Sequence, residues 1–384
     1  MNIGFDAKRA FHNNTGLGNY SRTLVSGLAQ FYPEHQYYLF NPKHSRQFPK
    51  LSFDHVHEVR PANWLSKTFS SAWRSSWVKN DLKRLHIDLY HGLSHEIPNG
   101  IQSTGIKSVV TIHDLIFERY PEQFSKIDIQ IYRHKFKYAC TYADRVIAIS
   151  EQTRQDIIDF YQTDPGKIDV CYQSCNPAFA NTYNEEKKET YRKKYHLPAA
   201  FFLCVGSIIE RKNLLNICKV YLYYKDAPPL VVIGQGKAYK NKVKAFIDNH
   251  QLTDKVIFLS EREEASKDFR SPDALAAIYQ MAIAMIYPSF FEGFGIPVLE
   301  ALWSRLPVIT SNVSCLPETA GDAAFYVDPS SPEDIAKAMR TIYEDKELRE
   351  HMKEKGWLHA QQFTLDKCAG SVMNVYQKLM YGSF

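Results

Sequence analysis

Between Ile286 and Trp303 the chain reads IYPSFFEGFGIPVLEALW, and the order of elements in that stretch limits the folds open to it. The apolar run 282–287 is the length of one buried strand. Pro288-Ser289 ends the strand, Gly293 and Gly295 carry a turn, and Pro297 starts a helix. Proline suits a first helical position because its missing N–H would have no partner there. A glycine turn that delivers a helix N-terminus gathers backbone N–H groups and the positive end of the macrodipole, a combination suited to phosphate. Two carboxylates frame the turn: Glu292 in the loop and Glu300, expected in the first turn of the helix. Phosphate donors at the centre and acceptors for sugar hydroxyls at the flanks match a nucleotide-sugar. Taken singly, Glu300 equally reads as a complement to the helix dipole and Glu292 as a solvated loop residue.

The strand-then-helix order recurs along the chain, which predicts a doubly wound α/β architecture. At 384 residues the chain exceeds what one core usually serves. The expected division is a first domain over 1–180, a polar linker of one or two helical turns over 181–198 (TYNEEKKETYRKKYHLP in its body), and a second domain over 199–364. Strands are expected at Asn2–Asp6, Gln36–Phe40, Ser108–His113, Phe201–Val205 and Leu230–Gly234, among others, because each is a short apolar run bounded by turn residues.

Three loops follow such strands. Gly16-x-Gly18 precedes a helix whose Leu24, Val25, Leu28 and Phe31 are expected on one side. It reads as half a dinucleotide fingerprint, but Asn41-Pro42 stands where a ribose-binding acid is needed, so an NAD site is the weaker reading. His113 ends its strand, and ligands of open parallel sheets bind beyond the strands' carboxyl ends. Gly206 follows another strand and leads to Arg211 and Lys212, a cation pair able to clamp a diphosphate through a guanidinium fork and a point charge. Residues 60–85 place Phe69, Trp73 and Trp77 at four-residue spacing among Arg74, Lys79, Lys83 and Arg84. That stripe reads either as a helix face in the core or as a membrane-interface surface.

A net charge of +5 is too small to argue for nucleic acid. Seven scattered cysteines with no C-x-x-C predict reduced thiols and speak against a disulfide framework or a zinc site. The N-terminus lacks a signal peptide's apolar core and no run approaches ~18 apolar residues. A cytoplasmic protein is expected; peripheral contact at the inner face of the membrane is the alternative that residues 60–85 leave open, a core-packed stripe being the commoner case. No D-x-D triplet offers a metal site, so no metal and no cofactor beyond the donor substrate is expected; the cations at the turn take the metal's place.

The run EGFG-x-P-x-x-EA, Glu292 to Ala301, resembles the Glu-x7-Glu signature of retaining glycosyltransferases of the GT-B fold, family 4, and the resemblance covers nearly the whole chain. It implies two doubly wound Rossmann-like domains facing a central cleft, the helix over 365–384 returning to the first. It implies Gly16 near the sugar and phosphates, and His113 (in Thr111-Ile112-His113-Asp114-Leu115) beside the donor sugar. Lys212 matches the family lysine. The family's arginine position is Ser207 here, and Arg211 is expected to substitute. With Gly206, Arg211 and Lys212 on the diphosphate, Glu292, Gly293, Phe294 and Gly295 would hold the sugar and Glu300 the ribose. The acids and cations (Glu292, Arg211, Lys212) and His113 would carry catalysis. The SN-x-S-x-LPE-x-AGDAA run beginning at Ser311 resembles mannosyltransferases of surface-polysaccharide assembly, with GDP-mannose the preferred donor and a glycan or lipid-linked acceptor. A nucleotide-sugar epimerase of the same architecture and a non-catalytic carbohydrate-binding protein are the alternatives.

Overall fold

The computed structural model describes residues 1–13, 15–45, 53–262 and 272–382. The chain divides into two compact units, Met1–Cys175 with Phe363–Phe384, and Asn176–Gln362. Most of the polar stretch 260–272, expected near a nucleotide base, lies outside the described residues.

The first unit is built on seven strands: β1 Asn2–Asp6, β2 Gln36–Phe40, β3 Val56–Val59, β4 Leu89–Gly92, β5 Lys107–Ile112, β6 Arg145–Ala148 and β7 Ile168–Val170. They lie in the order β3-β2-β1-β4-β5-β6-β7, and every pairing is parallel. Parallel strands covered on both faces read as nearly continuous apolar runs. Accordingly β5 (KSVVTI) buries all but its lysine. Val109 and Ile147 join one apolar cluster while Val110 and Val146 join another, because successive residues of a strand point to opposite faces. The helix Gly16–Phe31 and the helix Leu365–Tyr381 contribute Leu24, Leu28, Val372 and Tyr376 to the first cluster. Strand order reverses between β1 and β4, which is where an open α/β sheet leaves a crevice.

The second unit repeats the plan with β8 Phe202–Val205, β9 Leu230–Ile233, β10 Val256–Phe258, β11 Met285–Tyr287, β12 Val308–Ser311 and β13 Ala324–Val327. The order is β10-β9-β8-β11-β12-β13, again all parallel, so the reversal falls between β8 and β11, paired at Met285↔Leu203. The loops after those two strands carry Gly206, Arg211 and Lys212 on one side and Glu292 on the other. Topology alone therefore assembles residues some eighty positions apart.

Three local expectations need correction. The segment 181–198 contains a ten-residue helix, Glu185–Lys194, longer than the one or two turns expected. Asn184 caps it by accepting from the Lys187 N–H, acids sit in its first turn and three cations in its last, all favourable to the macrodipole. Phe31 is exposed rather than packed with Leu24 and Leu28. The aromatic stripe also does not lie on one face: Trp73 is 1% exposed, whereas Phe69 and Trp77 are 54% and 41% exposed. The chain breaks at Phe69 (φ −99°, ψ 52°) and then winds as a π-helix over Trp73–Trp77. A wider turn changes the angle between residues four apart, so the even spacing no longer keeps a single side. Trp73 fills the core, and its indole N–H donates to Asp81 at 2.8 Å. Among the described residues no helix is long and apolar enough to cross a membrane.

The two tryptophans should separate cleanly in a stability measurement. Trp73→Ala is expected to cost about 3–5 kcal/mol by urea unfolding, through cavity formation. Trp77→Ala should stay within about 0.5 kcal/mol, as surface changes do.

Candidate active site

In the second unit the chain leaves β8 through Gly206, at φ +136°. A Cβ there would lie 3.0 Å from the Lys212 ammonium nitrogen and 3.3 Å from its Cδ, so glycine is what lets the lysine stem run past the strand end. A single 3-10 turn, Glu210–Lys212, closes on Asn213 in the left-handed region (φ 65°). The Asn213 amide donates to the carbonyls of Pro288 (3.0 Å) and Pro329 (2.6 Å), and the Phe290 N–H donates to the Arg211 carbonyl at 2.9 Å. These bonds lock the β8 loop to the loops after β11 and β13.

Both cations then meet on one carboxylate. Arg211 Nη1 lies 3.0 Å from Glu292 Oε2 and also donates to the Phe291 carbonyl. The Lys212 ammonium lies 3.3 Å from Glu292 Oε1, donates to the Tyr287 hydroxyl, and sits 4.8 Å from the centre of that ring. Tyr287 and Ser289 donate to Glu292 Oε1 at 3.0 and 2.9 Å. Glu292 is 7% exposed, which removes the solvated-loop alternative. Burial alone would raise its pKa, but Lys212 and Arg211, with hydrogen bonds from Arg211 and Ser289, hold it down at about 2. Burial, then the neighbouring Glu292 charge, keeps the Tyr287 hydroxyl protonated well beyond its ordinary range, so it serves as a donor.

The helix after the turn runs Ile296–Trp303, with Gly295 as its N-cap at φ +92°. A Cβ on Gly295 would approach Leu316 Cδ2 to 2.9 Å. Pro297 is thus the second helical residue, not the first, and Glu300 falls in the second turn, correcting the expectation of a first-turn acid. The shift arises because the left-handed glycine lets the helix begin one residue before the proline. Val298 N–H already donates to the Gly295 carbonyl at 2.9 Å. Among the described residues this leaves the N–H groups of Gly295 and Ile296 without an acceptor, side by side at the helix's positive end. Glu300 accepts from the Tyr279 hydroxyl at 2.9 Å, and burial raises its pKa to about 7, only partly offset by that bond and by Lys212. Gly293 and Phe294 complete the loop, Thr319 Oγ1 donating to the Phe294 carbonyl.

Of the residues singled out from sequence, those of the second unit thus converge around β8 and β11. The first unit holds Gly16 and His113. Gly16 is the exposed first residue of its helix, and a Cβ there would meet nothing within 4 Å. One turn on, Tyr20 stands edge-on to the His113 ring at 4.5 Å and shares a 3.0 Å hydrogen bond with Thr111. His113 Nε2 donates to the Leu93 carbonyl at 2.9 Å, and the Gln173 amide lies 3.4 Å from Nδ1. Burial lowers its pKa to about 4, so the ring is neutral near pH ~7. Sequence reasoning missed Tyr287, Ser289, Asn213 and Tyr279. The first two stand at the carboxyl end of β11, where the rule that ligands gather beyond strand ends gave a signal; the asparagine's left-handed turn and the tyrosine's cross-helix bond left none.

Two family models match the chain. One described as Glycosyl transferases group 1 matches residues 187–358, and one described as Glycosyltransferase Family 4 matches residues 14–179. The O-antigen chain mannosyltransferase RfbU of Salmonella typhimurium is 29% identical over 342 residues, 86% of this chain and 88% of that one. The O-antigen chain mannosyltransferase B of Escherichia coli is 24% identical over 310 residues, 80% and 77% of the two chains. The crystal structure of Anabaena Alr3699/HepE in complex with UDP-glucose superposes with a TM-score of 0.72 at 15% identity, covering 98% of this chain and 100% of that one. At such identity the likeness shows the fold, two doubly wound Rossmann-like sheets of the GT-B class.

The ion cluster makes a stability prediction with a definite sign. The Glu292 carboxylate is held below its ordinary value of 4.5, so its contribution is present above that pH and fades as pH falls toward about 2. Glu292→Gln should cost about 3 kcal/mol near neutrality, since it leaves two cations facing a neutral amide. The gap between variant and parent should narrow in urea unfolding repeated at pH ~3.5.

Proposed function

From the premise that the chain belongs to family 4 of the glycosyltransferases, group 1, we propose that it moves a mannosyl unit from GDP-mannose to a hydroxyl of a growing surface polysaccharide, with retained anomeric configuration. The observation that carries this reading is the pair Arg211 and Lys212 fixed on Glu292 at the reversal of the second sheet, beside two unpaired N–H groups of a helix N-terminus. The named mannosyltransferase relatives support the sugar, and the UDP-glucose held by the Anabaena protein supports a nucleotide-diphosphate sugar as the donor class.

In this reading the diphosphate lies against Lys212, Arg211 and the Gly295–Ile296 amides. Glu300 accepts the ribose hydroxyls, and Glu292, through Oε2, a sugar hydroxyl. As the bond from the sugar's anomeric carbon to phosphate lengthens, negative charge grows on the departing phosphate. Cations already fixed there need no reorganisation, and that is how they lower the barrier. The acceptor hydroxyl attacks the same face, and its proton goes to the leaving phosphate. His113, being neutral and bonded through Nε2 to the Leu93 carbonyl, brings no charge to the reaction. The acceptor is a glycan, free or lipid-linked, and no metal or cofactor takes part.

Incubation with a panel of GDP-, UDP- and ADP-sugars and a polysaccharide acceptor, scoring the anomer formed, tests the reading directly. Retained α-mannosyl product is expected from GDP-mannose. Inverted product would remove the mechanism, and consumption of donor without acceptor would point to an epimerase. Lys212→Ala should lower the transfer rate on the order of 10²-fold. Glu300 must be ionised to accept two hydroxyls, so donor affinity should rise as pH climbs through about 7, and Glu300→Gln should bind weakly with a flat profile. Calorimetric titration of donor between pH ~6 and ~8 measures both.

A further inference from the structure

Glu300 is sparsely served for a half-buried acid. Glu292 collects four donors on its two oxygens, from Arg211, Lys212, Tyr287 and Ser289. Among the described residues Glu300 has one, the Tyr279 hydroxyl on Oε2 at 2.9 Å, and no cation within ion-pair distance. An ionised carboxylate offers about four acceptor positions, so most stay open, those of Oε1 among them. An acid left this open costs stability and is fitted for a ligand that brings its own donors.

Packing accounts for the ring of Tyr279 but not for its hydroxyl. The side chain is fully buried, with Phe179 edge-on at 5.1 Å between ring centres. Phenylalanine would fill that space equally, and a buried hydroxyl is costly unless an acceptor meets it. The ring is also held more firmly than one hydrogen bond requires. The Gln280 side chain donates to the Asn181 carbonyl at 2.6 Å and accepts from the Tyr183 N–H at 3.1 Å, and the Tyr183 hydroxyl donates to Asp273 at 2.6 Å. Those bonds fasten the helix Pro272–Met281 to the segment 176–183 at positions before and after Tyr279. Ser304, directly after the helix Ile296–Trp303, donates to the Phe179 carbonyl at 3.3 Å. The segment thereby ties the helix that carries Tyr279 to the helix that carries Glu300.

We propose that Tyr279 is a positioning residue for the nucleotide: its hydroxyl pins the Glu300 carboxylate through Oε2 and leaves Oε1 to receive the two ribose hydroxyls. The ribose rests on the donor reading above; the hold of Tyr279 on Glu300 does not. The same bond keeps the acid in the form that can accept. Burial pushes Glu300 toward its protonated form, and two groups among the described residues oppose that, Tyr279 by its hydrogen bond and then Lys212 by its charge. Without the hydroxyl the acid titrates at higher pH, and the pH at which ribose is well held rises with it.

The test uses the full chain with Tyr279→Phe, which keeps the ring against Phe179, its fold checked by circular dichroism. Infrared difference spectra taken across a pH series, with the Glu300 carboxyl band identified by its loss in Glu300→Gln, follow the acid directly. Its midpoint is expected to rise by about one pH unit in Tyr279→Phe. Calorimetric titration with GDP and with UDP, each beside the form lacking both ribose hydroxyls, follows the ribose. The loss of ribonucleotide affinity in Tyr279→Phe should be roughly fivefold greater at pH ~7 than at pH ~9. Glu300→Asp, one methylene too short to reach the hydroxyl, should weaken binding by itself, and adding Tyr279→Phe to it should cost nothing more. An unmoved midpoint, an equal loss at both pH values, or additive losses in the double variant would overturn the proposal, since a ring that only packs gives those results. A native chain that binds both forms of the nucleotide alike would instead remove the ribose from Glu300, and the carboxyl spectra would still decide what Tyr279 does.

Discussion

One buried carboxylate organises the second unit. Glu292 receives four donors, from Arg211, Lys212, Tyr287 and Ser289, on two oxygens, while its own N–H donates to Ser314 and its carbonyl accepts from the Cys315 thiol. A charge taken out of water is costly unless it is both paired and fully hydrogen-bonded, and here it is both. The arrangement matters less for stability than for placement. Two long, rotamer-rich cations, which in solvent would sweep many positions, are held beside a helix N-terminus with one positive charge left over. Any anion entering that corner meets a field already oriented, the condition under which electrostatics contributes most to a reaction.

The backbone around this cluster accepts conformations that most residues avoid. Gly206 and Gly295 have positive φ, with Lys212 and Leu316 crowding the place of a Cβ, while Asn213 and Ser314 adopt positive φ with side chains attached. Each of the last two is held there by a bond that its side chain makes, Asn213 to two proline carbonyls and Ser314 to the Glu292 N–H. Left-handed residues cost of order 1–3 kcal/mol when surroundings do not enforce them, and their concentration here marks where geometry has been favoured over ease of folding. The two parallel sheets supply the rigidity against which this strain is held.

Much of this was legible in the residues. Short apolar runs bounded by Gly, Pro and Asn placed most strands to within a residue or two, because a strand covered on both faces is apolar along most of its length; the run 282–287 forms a strand only over Met285–Tyr287, and the half-polar edge strand Val56–Val59 gave no such run. The strand-to-turn-to-helix order of residues 286–303 led to the corner where Arg211 and Lys212 meet Glu292. What stayed hidden depended on local winding rather than on pattern. The four-residue spacing of Phe69, Trp73 and Trp77 promised a single stripe, but a break and a π-turn separate the buried ring from the exposed ones. A glycine one residue ahead of Pro297 moved the helix start and left Glu300 in the second turn, held by Tyr279. Tyr287 read as the last apolar residue of a strand, yet its hydroxyl links Lys212 to Glu292. A tyrosine's two characters are told apart only by what its oxygen reaches.

The two units set the same problem and answer it differently. Each sheet reverses its strand order once, and each reversal brings together charged residues from loops distant in sequence. In the second unit a single carboxylate is shared by two cations, so the pair stays close together and keeps a surplus charge at one point. In the first unit Asp6 and Glu96 satisfy Arg74 completely, which turns that guanidinium into a brace between the end of β1 and the segment after β4. Lys8 and Lys43 line an open cavity beside it, both exposed to solvent. A focused surplus serves a group whose charge changes during reaction. The difference between the two corners follows from how many acids the loops place beside the arginine.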